Sequence, residues 1–220
     1  MEIKKKITLI RHGATEYNDN NIMQGSLDLP LSKNGILQAE RLNEALADKE
    51  FDIIYHSPLS RAYQTASIVN KNHNLKYIQI DCFKEINIGE WEDKKFSDVF
   101  TEKNEVYKKW IMDANTEIPG GESYANVQSR VREGVMTILN SEYKNILIFG
   151  HVAVNRGILG NLLNIGPDLS RKFKLNNCGY STFLIYENRF DNTENTIGNN
   201  FVMVENWNVS THLSGVLNEY

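Results

Sequence analysis

The chain has 220 residues, 41% hydrophobic and 24% charged, a balance that suits a folded globular domain and excludes a disordered or fibrous chain. Its net charge of −4 argues against a general basic face for nucleic acid or anionic membrane, while leaving room for a local basic pocket. Cys82 and Cys178 are too few for a disulfide framework or a four-thiolate zinc site; they read as two reduced thiols, with one disulfide as the alternative.

In chain order, Met1-Glu2-Ile3-Lys4-Lys5-Lys6 starts with charge, and its Lys4-Lys5-Lys6 run reads as a solvated terminus. The apolar run after it is too short for a signal h-region or a membrane span, so a cytoplasmic protein is expected. The β-branched and aromatic runs 7–10, 51–55, 77–80 and 146–149 predict strands, several of them buried on both faces. Between them, apolar residues at helical spacing predict helices. One begins at Ser32, a plausible N-cap, and runs through Ala39, Leu42 and Leu46. Others cover 60–70, 123–139 (with the stripe Val127, Val131, Val135, Ile138) and 154–163. Residues 180–186 and 201–207 predict two later strands joined by a polar, Asn-rich hairpin. This alternation predicts an α/β fold, a three-layer sandwich with a mostly parallel central sheet and helices on both faces. The charged and aromatic segment 93–113 breaks the alternation and is expected to form a helical insertion over one sheet edge.

Ligands of such sheets sit outside the carboxyl ends of the strands. Strand one ends in Arg11-His12-Gly13. Strand two ends in His56-Ser57-Pro58, with Arg61 just beyond. Residues 77–80 are followed by Glu85, and the 146–149 run by Gly150-His151. Two Arg forks suit phosphate oxygens. A His beside Gly13, which has no Cβ to obstruct it, can reach phosphorus as a nucleophile. Glu85 can protonate a leaving oxygen and then activate water, and the second His can stabilise transferring charge. Together these parts suit phosphoryl transfer by positioning and electrostatics. Nucleotide-cradle motifs of the Gly-x-x-x-x-Gly-Lys and Gly-x-Gly-x-x-Gly kinds are absent, as are His-Glu-x-x-His and zinc-like spacings.

Leu9-Ile-Arg-His-Gly-Ala-Thr-Glu-Tyr-Asn18 resembles the signature of the histidine phosphatase superfamily, the phosphoglycerate-mutase-like proteins. Met23-Gln-Gly-Ser-Leu-Asp-Leu-Pro-Leu-Ser32, Ser57-Pro-Leu-Ser-Arg-Ala-Tyr-Gln-Thr-Ala66, Glu85-Ile-Asn-Ile-Gly-Glu-Trp-Glu92, Gly120-Gly-Glu-Ser123 and Gly150-His151 follow in family order. The resemblance implies a single domain over 1–220 with a small helical cap at about 93–122. It implies His12 as the phosphorylated nucleophile, with Arg11, Arg61 and His151 around the phosphoryl group. Glu85 would be proton donor and then general base, and Asn18, Gln24 and Gly25 would line the pocket. No metal and no other cofactor is expected. The partner is a small phosphorylated substrate, and a homodimer is one of the oligomeric states left open.

Two positions depart from the family pattern. Val152 stands where Gly is common and resists positive φ, so the phosphate loop is expected to differ slightly. Ala14 stands where a polar residue is common. After the acid donor, mutases resemble one another in Arg-His-Tyr-Gly, but here Glu85 is followed by Ile86-Asn87-Ile88-Gly89, which binds a carboxylate poorly. The remaining likeness is to broad-specificity and α-ribazole phosphatases. The expected activity is therefore a metal-independent phosphomonoesterase working through phosphohistidine. The alternatives are a phosphoglycerate mutase, a phosphoprotein phosphatase or a non-catalytic phosphate-binding relative. His56 is expected to pack or orient, His73 and His212 to lie at the surface, and Phe96, Phe100, Tyr107 and Trp110 to form the cap's own core.

Overall fold

A computed structural model describes residues 2–187 and 200–216. Among these, one sheet contains β1 (Ile3–Arg11), β2 (Ile53–His56), β3 (Tyr77–Gln79), β4 (Asn145–Gly150), β5 (Tyr180–Glu187) and β6 (Asn200–Val209), in the spatial order β3-β2-β4-β1-β5-β6. The pairs β3–β2, β2–β4 and β4–β1 are parallel, whereas β1–β5 and β5–β6 are antiparallel. The sheet is thus mostly parallel, as the alternation of elements predicts. The Asn-rich connection expected between the last two strands lies outside the described residues.

Side chains alternate across each strand and sort the core into two layers. Ile7, Leu9, Ile53, Tyr55, Ile146 and Ile148 face one side. There they meet the predicted stripe Val127, Val131, Val135 and Ile138 of α6 (Tyr124–Asn140), together with Ile158 and Leu159 of α7 (Val152–Leu163). Ile10, Ile54, Leu147 and Phe149 face the other side, against Ala39, Leu42 and Leu46 of α2 (Lys33–Leu46) and Ala66 and Val69 of α3 (Ser60–Val69). Each such side chain, fully buried, contributes roughly 1.5–3 kcal/mol. α2 starts where the sequence places an N-cap, the Ser32 hydroxyl accepting the Gly35 N–H, and α6 is capped in the same way by Ser123, whose hydroxyl accepts the Asn126 N–H. The short helices α1 (Glu16–Asp19) and α8 (Pro167–Ser170) follow β1 and α7. Within the segment expected to be a helical insertion lie α4 (Phe96–Val99) and α5 (Glu105–Met112). No helix of the described residues is long and apolar enough to cross a membrane. Cys82 and Cys178 are free thiols.

The lysine run is not a solvated terminus. β1 begins at Ile3, and alternation sends Lys4 and Lys6 to Glu187 (3.1 Å) and Glu205 (3.0 Å) on β5 and β6. Lys5 points the other way and is buried, donating to the carbonyls of Ser141 (2.5 Å) and Tyr143 (2.7 Å). Charged side chains hid a strand whose partners lie far along the chain.

The loop after β1 packs on α2 with backbone touching backbone. A Cβ added at Gly35 would lie 1.9 Å from the Ala14 carbonyl oxygen, and one at Gly13 would lie 2.5 Å from that of Gly35. Ala in place of a helical Gly ordinarily stabilises by about 1 kcal/mol. For Gly35→Ala the sign is expected to reverse, with a loss of about 2 kcal/mol or more read as a lower urea midpoint. An unchanged or higher midpoint would contradict this packing.

Candidate active site

The parallel β1–β4 pair sets the site. Its register places Arg11 opposite Gly150, and the His12 N–H donates to the Gly150 carbonyl (3.0 Å). The next residue of each strand is a histidine, so His12 and His151 lie side by side, ring centroids 5.0 Å apart. Both are buried.

Each imidazole has one nitrogen fixed by the protein. In His12, Nδ1 lies 2.6 Å from the Gly13 carbonyl oxygen. A carbonyl only accepts, so Nδ1 carries the hydrogen and Nε2 keeps its lone pair. In His151, Nε2 lies 2.7 Å from the Ser57 hydroxyl oxygen, which accepts the Leu59 N–H (3.3 Å). The other ring nitrogen, His151 Nδ1, is buried without a protein partner. Burial, reinforced by the Arg61 and Arg11 guanidiniums, holds both imidazoles well below the usual histidine range. Both are neutral near pH 7.

Arg61 is fully buried in α3. Burial lowers its pKa to about 10, opposed by Glu85, Asp28 and Glu92, so it stays a cation at neutral pH. Its two terminal nitrogens donate to the carbonyls of Leu27 (2.6 Å) and Gly25 (2.8 Å), and Nε is buried without a protein partner. Arg11 donates to the Leu175 carbonyl (2.8 Å). Two cations, one imidazole lone pair and the unpartnered Arg61 Nε–H thus lie close together at one end of the sheet, an arrangement that suits a tetrahedral oxyanion.

Glu85 is buried, Glu92 half-buried and Glu90 exposed. The Glu85 carboxylate accepts the N–H groups of Ile86 (2.9 Å), Ala153 (3.2 Å) and Val154 (3.3 Å), the last two at the start of α7, where unpaired amides favour an anion. Its loop is held from α6. Arg130 grips Glu122 through two nitrogens (2.7 and 3.1 Å) and donates to the Cys82 carbonyl (2.5 Å), while Glu122 accepts the Asn87 N–H (2.9 Å). That gives the Gly120-Gly-Glu-Ser123 motif a physical role as the brace behind Glu85. Glu92 has a different one, accepting from the Ser26 N–H (2.9 Å) and hydroxyl (3.1 Å) to hold the turn beyond Gly25.

A cavity of about 470 Å³ opens over these groups. Of the site residues proposed from sequence, Arg11, His12, Glu85, Asn18, Gln24 and Gly25 line it. His151 and Arg61 lie behind the wall, next to His12. Asn18 is also structural, since its Oδ1 accepts the Thr15 N–H (3.1 Å) in the capping box of α1. Gly25 has φ +47°, and a Cβ there would lie 2.4 Å from the Ile88 side chain, so this turn demands glycine.

Three expectations need correcting. Gly13 is small because α2 presses on it, not to admit the substrate. Val152 is the first residue of α7 and is not at positive φ, so it fits the loop without strain. Phe96, Phe100, Tyr107 and Trp110 are not merely cap core, for all four line the cavity. His56 does orient and pack: its Nδ1 donates to the Ser57 carbonyl (2.8 Å), and its ring sits against Tyr63 and Tyr77. His212 is half-buried and lies 3.1 Å from the Cys178 carbonyl oxygen. Sequence reasoning also missed Asn177, whose amide donates to the His12 carbonyl (3.0 Å) from a distant loop, and Arg156 and Tyr124 in the cavity wall. Only Arg156 left a trace, as a cation one turn beyond His151 on a helix.

Fold and site together define an α/β enzyme of phosphoryl transfer, with a histidine pair set among arginines at the carboxyl edge of a parallel sheet. The chain belongs to the histidine phosphatase superfamily (branch 1), whose family model matches residues 7–196, and it is a phosphatase. It is 33% identical over 189 residues to phosphoserine phosphatase 1 of Hydrogenobacter thermophilus, covering 84% of this chain and 88% of that protein. It is 30% identical to the adenosylcobalamin/alpha-ribazole phosphatase of Escherichia coli K12, covering 77% and 85%. The crystal structure of phosphoserine phosphatase from Entamoeba histolytica superposes with a TM-score of 0.77 at 29% identity, over 95% of this chain and 99% of that one.

All five histidines are shifted down by burial from the usual 6.5. Above 6.5 neither the folded nor the unfolded chain protonates them, so they add no pH dependence. Below it the unfolded chain takes up protons that the fold refuses, and stability falls with acidity. The melting temperature is expected to be level between about pH 7 and 8 and to drop steadily towards about pH 5. The paired change His12→Asn and His151→Asn should flatten that slope. A wild-type melting temperature constant over the same acid range would contradict the neutral assignment.

Proposed function

We propose that this chain is a cytoplasmic phosphomonoesterase that hydrolyses a phosphorylated small metabolite through a phosphohistidine on His12, with no metal or organic cofactor. The observation that carries this reading is the locked, neutral His12, whose ring, with Nε2 free, lies next to the Arg11 and Arg61 guanidiniums and the His151 ring. In the first step Nε2 attacks phosphorus in line, the N–P bond forms and the ester P–O bond breaks. Arg11, Arg61 and His151 hold the phosphoryl oxygens, and Glu85 passes a proton to the leaving oxygen. In the second step Glu85 takes a proton from water, whose oxygen attacks phosphorus. The N–P bond breaks and inorganic phosphate leaves, returning His12 to its neutral form. Ser57 acts through His151, whose Nε2 it holds in place. Ile86 and Ile88, where mutases carry basic and phenolic groups, line the cavity and weigh against the mutase alternative.

The first test is phosphate release from p-nitrophenyl phosphate in EDTA. Wild type should turn over and form an acid-labile phosphoenzyme, and His12→Ala should lose activity by about 10³-fold or more. Undiminished turnover by His12→Ala would sink the phosphohistidine route.

The second test concerns the leaving group. Glu85→Gln should slow alkyl esters by about 10²-fold or more and p-nitrophenyl phosphate far less, because nitrophenolate leaves without a proton. Equal losses on both would remove Glu85 from the donor role.

A further inference from the structure

Beyond the phosphoryl end, the cavity wall is built for an apolar body. Ile86 and Ile88 flank Glu85, and past them stand Phe96, Phe100, Tyr107 and Trp110. The rings form a ladder: Phe96 lies 5.2 Å from Phe100 between centroids, and Phe100 stacks on Tyr107 at 4.6 Å with an interplanar angle of 14°. Phe96 and Phe100 each keep 37% of their surface exposed, so this face of the ladder is not buried by the chain itself.

The two arginines of this part of the wall are already engaged. Arg156 donates to the Phe173 carbonyl (2.8 Å) and the Tyr124 hydroxyl (3.0 Å). Arg171 donates to the carbonyls of Trp110 and Ile111 and pairs with Asp168 (2.7 Å). Lys172 is exposed, and Glu85 is the only carboxylate among the lining residues. A carboxylate brought against the rings would have Lys172 to meet, Arg156 and Arg171 being committed elsewhere, and an ammonium only Glu85, so part of its desolvation cost stays uncompensated, whereas an apolar ring carries none.

Resting on the phosphatase reading above, we infer that the site is selective for phosphomonoesters of apolar, ring-bearing alcohols over those of small charged alcohols, with the Phe96–Trp110 ladder as the selective surface. The alcohol's ring would lie along the ladder while its phosphate sits at His12. This parts from the phosphoserine phosphatases among the chain's relatives.

The experiment compares kcat/KM of the full chain for 2-phenylethyl phosphate, ethyl phosphate and O-phosphoserine, all unactivated alkyl esters. Serine is the best leaving group of the three, so intrinsic reactivity opposes the expected order. The phenylethyl ester should exceed ethyl phosphate by about thirtyfold, the worth of burying a ring, and should exceed phosphoserine too. Phe100→Ala should shrink the phenylethyl-to-ethyl ratio by about fivefold or more. Should that variant fail to fold, wild type alone gives a second reading, since 2-phenylethylphosphonate should inhibit at about tenfold lower concentration than ethylphosphonate. Equal rates on the ethyl and phenylethyl esters, or a preference for phosphoserine, would overturn the selectivity and leave the phosphatase reading intact. No hydrolysis of any ester, with no phosphate trapped on His12, would overturn both.

Discussion

The registered pairing of β1 with β4 is the constraint on which the rest depends. Because Arg11 sits opposite Gly150, the chain delivers two imidazoles to one point without any loop having to search for it. Parallel pairing fixes direction as well as register, so both strands leave the sheet at the same edge. A one-residue slip would turn His12 to the opposite face and move its partner away. The large apolar layers on either side hold that register, and the catalytic geometry inherits the rigidity of the core.

Much of this was legible from sequence because the signals are local. A strand ending in a charged or catalytic residue is visible as an apolar run followed by Arg-His or Gly-His, and an N-cap such as Ser32 announces itself. What stayed hidden depends on distant contacts. The β1 extension reads as a charged tail until Glu187, Glu205 and the Ser141 and Tyr143 carbonyls are in place. Gly13 looks like an opening for substrate until α2 is seen to touch it. Asn177 and the Glu122–Arg130 brace carry no pattern of their own, because one polar residue in a loop resembles any other until its partner is known. The aromatic segment was correctly read as helical, but spacing alone does not say which ring face meets the chain and which meets a cavity.

The site gives up folding stability for function. Arg61 Nε and His151 Nδ1 are buried without protein partners, and such a group costs about 1–3 kcal/mol where no water reaches it. Burial also forbids both histidines their proton. The two effects share a purpose: an anion with several oxygens would satisfy the orphaned Arg61 N–H, and a neutral imidazole can attack it. The carbonyls of Gly25 and Leu27 take two of the Arg61 donors, which aims the guanidinium while keeping its charge.

The two ends of the cavity rest on different physics. The phosphoryl end is carried by strands, by α3 and by the start of α7, all embedded in the core. The ring ladder is carried by α4 and α5, short helices of which α5 contributes no fully buried residue. Its attachment runs through Arg171, which donates to the carbonyls at the end of α5 and is itself held by Asp168, while Asp168 also accepts the Ala114 N–H (3.0 Å). A segment that joins the core through Val99 and a few half-buried side chains, with polar tethers at its end, can change its cavity-facing side chains at less expense than the strands can. Selectivity for the alcohol can therefore vary in this fold while the chemistry at His12 stays fixed, because the groups that recognise the leaving group and the groups that break its bond belong to separately stabilised parts of one chain.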